Sequence, residues 1–198
     1  METSKAETHV YYMLHKPFGY LSQFMSNANH ERNKKFLGEL YEFPEGVMPV
    51  GRLDKNSEGL LLLTTDGFLS NQINSSQVEK EYYVQVDGAI TPSAIAALQT
   101  SVNIGFKGIK YDTKPCKVFA LESPPELPER SKKIRDARHG PTSWLSITIN
   151  EGKFRQVRKM TSAVGFPTLR LVRVRIGTIH LNRMAPGEVI KLDELKVD

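Results

Sequence analysis

Residues 50–67, VGRLDKNSEGLLLLTTDG, constrain the fold of this chain more than any other stretch. Apolar runs at 48–50 and 60–63 flank a polar loop. Four leucines bounded by Gly59 and Thr64 read as a buried strand, a short helix being the alternative. Gly51 and Gly59 bracket the loop, so its backbone can take conformations closed to other residues and a partner can come close. In an extended loop, residues two apart point the same way, which sets Arg52 and Asp54 on one face. On spacing alone, Asp54 is first a turn residue hydrogen-bonded to its own loop backbone.

The remaining chain alternates strands with a few helices. Residues 10–14 and 82–86 are strands by their aromatic and β-branched content. The first ends in a turn at Pro17 and Gly19, the second at Asp87 and Gly88. Residues 35–41 read as a short helix. Asp66 is placed to cap a helix carrying Phe68, Leu69, Gln72 and Ile73 at helical spacing. Thr91 and Pro92 open another, with Ile95, Leu98 and Val102 on one stripe. Residues 105–120 read as two short strands. Residues 121–143, with Pro124, Pro125, Pro128 and Pro141, read as a long binding loop or a disordered segment. Residues 144–149 alternate as a half-buried strand, and 154–164 form an amphipathic helix closed by Gly165. Residues 169–177 are a strand with arginines on one side of its second half. Residues 1–9 are expected to be a disordered tail and 25–34 a mobile loop. The pattern predicts an α+β fold with a mixed sheet, one domain over 10–198 with two lobes.

Charge distribution says more than net charge, which is +5. From Gly152 to Gly187 there is no acidic residue, yet Lys153, Arg155, Arg158, Lys159, Arg170, Arg173, Arg175 and Arg183 all fall there. Such a one-signed segment suits a polyanion, unless acids from elsewhere in the fold neutralise it. No run approaches the ~18 apolar residues of a membrane span. The single cysteine, Cys116, cannot form an internal disulfide, which fits a reducing, cytoplasmic setting. The five histidines (His9, His15, His30, His139, His180) lack ligand spacing, and no phosphate-binding glycine loop is present, so neither metal nor cofactor is expected.

The sequence Gly51-Arg52-Leu53-Asp54, then Ser57, Gly59, the leucines, Thr64, Asp66 and Gly67, resembles the active-site signature of the RNA pseudouridine synthases. More narrowly it resembles the branch acting on ribosomal RNA, above all the large subunit. Lys16, Pro17 and Gly19 after a strand, and Lys80-x-Tyr82-x-Val84, resemble two further motifs of that family. Lys153 to Met160, with Gln156-Val157-Arg158, resembles its third. The likeness covers most of the chain from Tyr11 to Lys191. It implies a mostly antiparallel sheet with flanking helices around a central RNA-binding cleft. It also implies a cofactor-free isomerisation of uridine in large-subunit (23S) ribosomal RNA; apart from the resemblance, a monomer is expected, since no coiled-coil pattern is present. Many relatives carry an RNA-binding module of the ribosomal-protein S4 type before the catalytic domain. Here about ten residues precede the first strand, so that module is expected to be missing.

The resemblance assigns roles residue by residue. Asp54 is the essential aspartate, a carboxylate able to act as nucleophile or base at a sugar carbon. Tyr82 stacks on the uracil, although a strand tyrosine usually packs in a core. Arg158 forms the ion pair that holds the Asp54 carboxylate. Arg52 enters the helix from which the base is expelled. Lys80, Arg130, Lys132, Lys133, Arg155, Gln156, Lys159, Arg170 and Arg173 are the expected RNA contacts. Two other readings stay open. One is a catalytically inactive protein that binds ribosomal RNA or assists ribosome assembly. The other is a glycoside hydrolase, which would need a second acid near Asp54, with Glu58 and Asp66 the nearest in sequence.

Overall fold

A computed structural model describes residues 9–26, 33–75, 78–106 and 108–197. Residues 1–8 of the expected tail, 1–9, and the middle of the expected loop, 27–32, lie outside the described residues. Eleven strands and three α-helices are present among those described: β1 Tyr11–Lys16, β2 Met48–Val50, β3 Glu58–Thr64, α1 Gly67–Ser75, β4 Lys80–Asp87, α2 Pro92–Thr100, β5 Asn103–Phe106, β6 Ile109–Asp112, β7 Lys117–Ala120, β8 Thr142–Ile149, α3 Gln156–Ala163, β9 Thr168–Ile176, β10 Ile179–His180 and β11 Val189–Leu192.

Nine strands make one sheet in the order β11-β1-β3-β9-β4-β8-β7, with β2 added to β3 and β10 to β9. The sheet is mixed and mostly antiparallel, as the α+β reading expects. Its one parallel pairing, β3 with β9, joins only Glu58 to Val172 and Gly59 to Arg173. An added Cβ at Gly59 would collide with the carbonyl of Arg173 and come within 2.7 Å of its amide nitrogen. Gly59 therefore lets β3 and β9, and with them the two halves of the sheet, touch.

The leucine run is β3, buried along its whole length. Leu60 and Leu62 pack with Met13, Ile73, Val172 and Met184, while Leu61 and Leu63 pack with Tyr12, Leu14, Leu37 and Val47. A strand covered on both faces has no reason to alternate, which is why it shows no period of two. The third cluster lies on β4, β8 and β9 beneath α2 and α3, with Val84, Leu98, Leu145, Ile147, Met160 and Leu171 at its centre.

The helix caps follow local chemistry. Asp66 Oδ1 accepts from the Leu69 amide at 2.9 Å, and Thr91 Oγ1 from the Ala94 amide at 3.2 Å. Three expectations are corrected. Residues 35–41 form only one 3-10 turn, Leu37–Glu39. Residues 103–120 hold three strands, because β5 and β6 pair as a separate hairpin. The arginines of β9 do not share a side: the strand register shifts between Glu81 and Tyr82, Arg173 lines the cleft, and Arg175 binds Glu79 and Glu81.

The long connection at 121–141 is placed by side chains rather than by a ladder. Arg130 donates to the carbonyls of Lys132, Lys133 and Leu169, and its guanidinium lies 4.5 Å from the Phe18 ring centroid. Arg135 pairs with Asp87, and Leu127 packs against the cluster around Met13 and Ile176.

Candidate active site

A cleft of about 760 Å³ opens where the two halves of the sheet part. Its walls include Arg52, Asp54, Lys80, Tyr82, Phe154, Arg155 and Arg173. Both conformationally special glycines of the sequence signature serve it. Gly59 sets the seam, and Gly51 has φ +69 with an added Cβ falling 2.8 Å from Asn74 Oδ1, so α1 closes against the loop.

The loop that carries Asp54 is fixed from three sides. Ser22 Oγ donates to the Leu53 carbonyl at 2.8 Å and accepts from the Leu53 amide at 3.0 Å. The Gly19 amide donates to the Lys55 carbonyl at 2.8 Å, and the Ser57 amide to the Asp54 carbonyl at 3.0 Å. Arg158 donates to the Asn56 carbonyl at 2.7 Å and to Ser57 Oγ at 3.3 Å. Asp54 thus stands on a preorganised turn with its side chain about one quarter exposed to the cleft.

Its cationic partner is not the one expected. Arg155 Nη1 lies 3.5 Å from Asp54 Oδ2, whereas Arg158 grips the loop from behind. The difference comes from where α3 starts. Arg155 precedes the first helical turn in the left-handed conformation, φ 54 and ψ 33, on the segment that lines the cleft. Arg158 lies one turn further along, facing Asn56. A non-glycine residue held in this region is strained, which fits a side chain positioned for a task. Burial and the nearby Arg155 charge lower the Arg158 pKa, with Asp54 opposing them.

Four other expected RNA contacts have partners within the protein. Arg170 is buried in a two-point pair with Glu58, at 2.9 and 3.1 Å, and donates its remaining reach to the Pro128 carbonyl. Arg173 lines the cleft but is 3% exposed and donates through Nε to the Leu60 carbonyl. Gln156 is also buried, its amide bound to Glu151 and the Lys153 amide. Arg130 is half-buried and donates to the three carbonyls already named. Lys132 and Lys133 are exposed on the same loop, and Arg52 reaches Gln23 from the cleft rim at 3.2 Å. Lys80 lines the cleft with Nζ on the Val78 carbonyl, and Lys159 bonds the Gly105 carbonyl and lies over the Phe154 ring. Tyr82, 9% exposed, is both a core residue and part of the cleft wall.

Reading the sequence assigns no role of their own to Ser22, Lys16 and Phe154. Nothing in the local sequence marks Ser22, since its partners are 31 residues away. Lys16 is fully buried, donates to the Pro17 and Tyr20 carbonyls, and has its pKa lowered to about 7, chiefly by burial. Helical spacing sets Phe154 on one stripe with Val157 and Met160, yet it is 66% exposed at the cleft mouth.

Comparison with known proteins shows what the chain is similar to. The family described as RNA pseudouridylate synthase matches residues 10–163. A protein of Xanthomonas axonopodis pv. citri named ribosomal large subunit pseudouridine synthase E is 42% identical over 176 residues, covering 88% of this chain and 89% of that one. A protein of the same name from Vibrio vulnificus is 40% identical, covering 89% of this chain and 72% of its own. A crystal structure of a pseudouridylate synthase superposes with a TM-score of 0.72 at 28% identity, covering 94% of this chain and 71% of that one.

Proposed function

The chain belongs to the RNA pseudouridylate synthase family, and from that premise we propose that it isomerises one uridine of large-subunit ribosomal RNA to pseudouridine, with Asp54 as the essential carboxylate. The observation that carries the reading is Asp54 on a fixed turn, in one cleft with Tyr82 and beside Arg155. The relatives named for the large subunit support the substrate class.

The chemistry balances without a cofactor. The C1′–N1 bond breaks with its electron pair going to the base. Asp54 answers the electron deficiency at the sugar, either by bonding to C1′ or by taking a ribose proton. The base turns and C5 bonds to C1′, displacing the Asp54 carboxylate or, on the proton route, with Asp54 returning its proton to the ribose; C5 then loses its proton and N1 gains one. Arg155 holds the carboxylate aimed at the sugar, and Tyr82 offers a flat surface to the extruded base. Arg52 at the rim fills the space the base leaves in the RNA. The exposed Lys132 and Lys133 attract the phosphate backbone. In this reading the protein works as a cytoplasmic monomer over 10–198.

Chemical mapping of pseudouridine in large-subunit RNA treated with the purified protein tests this. One position should convert, and Asp54→Asn should lower conversion on the order of 10³-fold or more while RNA binding persists. Full activity in Asp54→Asn would sink the assignment. Tight RNA binding with no conversion by the unaltered protein would favour an rRNA-binding or assembly role instead.

A further inference from the structure

The cleft floor holds two cations that neither the ion pair with Asp54 nor a surface grip on phosphates explains. Arg173 lies opposite Tyr82 in the β4–β9 pairing, and Lys80 is two residues before Tyr82 on the same strand. All three line the cleft. Among the described residues, neither cation is in an ion pair. Arg173 is 3% exposed, and its Nη2 is buried with no hydrogen-bond partner. Lys80 feels both burial and the Arg173 charge, which lower its pKa.

A strut between strands accounts for only part of this. The Nε bond to Leu60 ties β9 to β3 at 2.7 Å, and an arginine kept for that alone would not need an unmet donor beside a cavity. Buried donors without partners are rare because they are costly, so an unmet one at a ligand cleft points to an acceptor on the ligand. Ile149, Leu171 and Ile176 add apolar surface beside Tyr82 in the same cleft, which suits a flat ring rather than a hydrated phosphate.

We propose that Arg173, with Lys80 beside it, binds the carbonyl edge of the extruded uracil and stabilises the negative charge that spreads over it as the C1′–N1 bond breaks. The inference rests on the isomerase reading above. In uridine the base is neutral and its carbonyl oxygens are ordinary acceptors. When the bond breaks, the electron pair moves onto N1 and its charge spreads to those oxygens. The contacts therefore strengthen toward the transition state, where they raise kcat rather than lower KM. The low-polarity wall amplifies them. No atom is gained or lost in this step, and the charge returns to the new C5–C1′ bond.

Single-turnover rates with an RNA segment carrying either uridine or 5-fluorouridine at the mapped position test the assignment, read as loss of the original nucleoside. Fluorine withdraws electrons, so the detached base needs less help from the protein. Arg173→Met should lower kcat on the order of 10²-fold with KM within about threefold, and the deficit should shrink about tenfold with 5-fluorouridine. Lys80→Met bridges no strands and should show the same pattern at about one tenth the size, so it decides the matter if Arg173→Met does not fold. Equal deficits on both substrates would reduce Arg173 to a strut. A loss confined to KM would make the pair a phosphate grip, and either result overturns the proposal. Absence of conversion by the unaltered protein would instead overturn the isomerase reading on which this one stands.

Discussion

The acid-free segment from Gly152 to Gly187 divides into two halves of like composition and opposite fate. In its first half, Lys153, Phe154 and Arg155 line the open cleft, and Arg155 meets Asp54 across it. In its second half, β9 buries Arg170 and Arg173 and half-buries Arg175. Arg170 is neutralised by Glu58, and Arg175 by Glu79 and Glu81, all more than 90 positions away. One half keeps its charge at the open cleft, and the other pairs most of its charge within the fold. Density of positive charge along a chain therefore says little about where the charge acts. The accessibility of the element beneath it decides.

The sharpest way to break this contrast is to remove a charge from the buried half. Arg170→Ala leaves the Glu58 carboxylate buried without a counter-ion and should cost about 3–5 kcal/mol of stability. That corresponds to about 10 °C in the thermal midpoint of a chain this size. Replacing both Arg170 and Glu58 by Met should recover most of the loss. A midpoint unchanged in Arg170→Ala would mean the pair is not the neutralising contact. In the open half, Arg155→Ala should do the reverse: kcat for uridine conversion falls on the order of 10²-fold while the midpoint stays within about 2 °C.

Lys16 extends the buried pattern to a pH effect. The folded protein releases its Lys16 proton near pH 7, while the unfolded chain keeps it to about 10.5. Between those values the unfolded state binds more protons, so stability rises with pH, by at most about 1.4 kcal/mol per unit. Urea titrations of the wild type and Lys16→Met between pH 7 and 9 should show a steeper rise in the wild type, and parallel curves would remove the effect. The smallest change is expected on the 121–141 connection. Lys132→Ala and Lys133→Ala should each weaken RNA binding a few-fold and lower the salt slope by about one, with no effect on stability.

Much of the fold was legible because it rests on local rules. The helix caps at Asp66 and Thr91 follow from side-chain oxygens facing free amides, and β3 from an unbroken leucine run. The Asp54 loop was legible because its two glycines and its acid lie within nine positions. Phe154 was not, since helical spacing with Val157 and Met160 places it in a core, and only the late start of α3 at Gln156 turns it outward. Nor was Ser22, whose hold on Leu53 depends on two loops meeting in space.

What the sequence by itself determined is therefore the elements, their caps, the reactive loop and the family they belong to. What only the tertiary structure decided is the partner of each charge: Arg155 rather than Arg158 for Asp54, Glu58 for Arg170, and an open cleft for Arg173. The reason is physical. Propensity and capping act over a few residues, whereas the energy of a charge depends on distance and burial. Here both are set by a two-residue parallel seam between β3 and β9, strands that lie more than 100 positions apart in the chain.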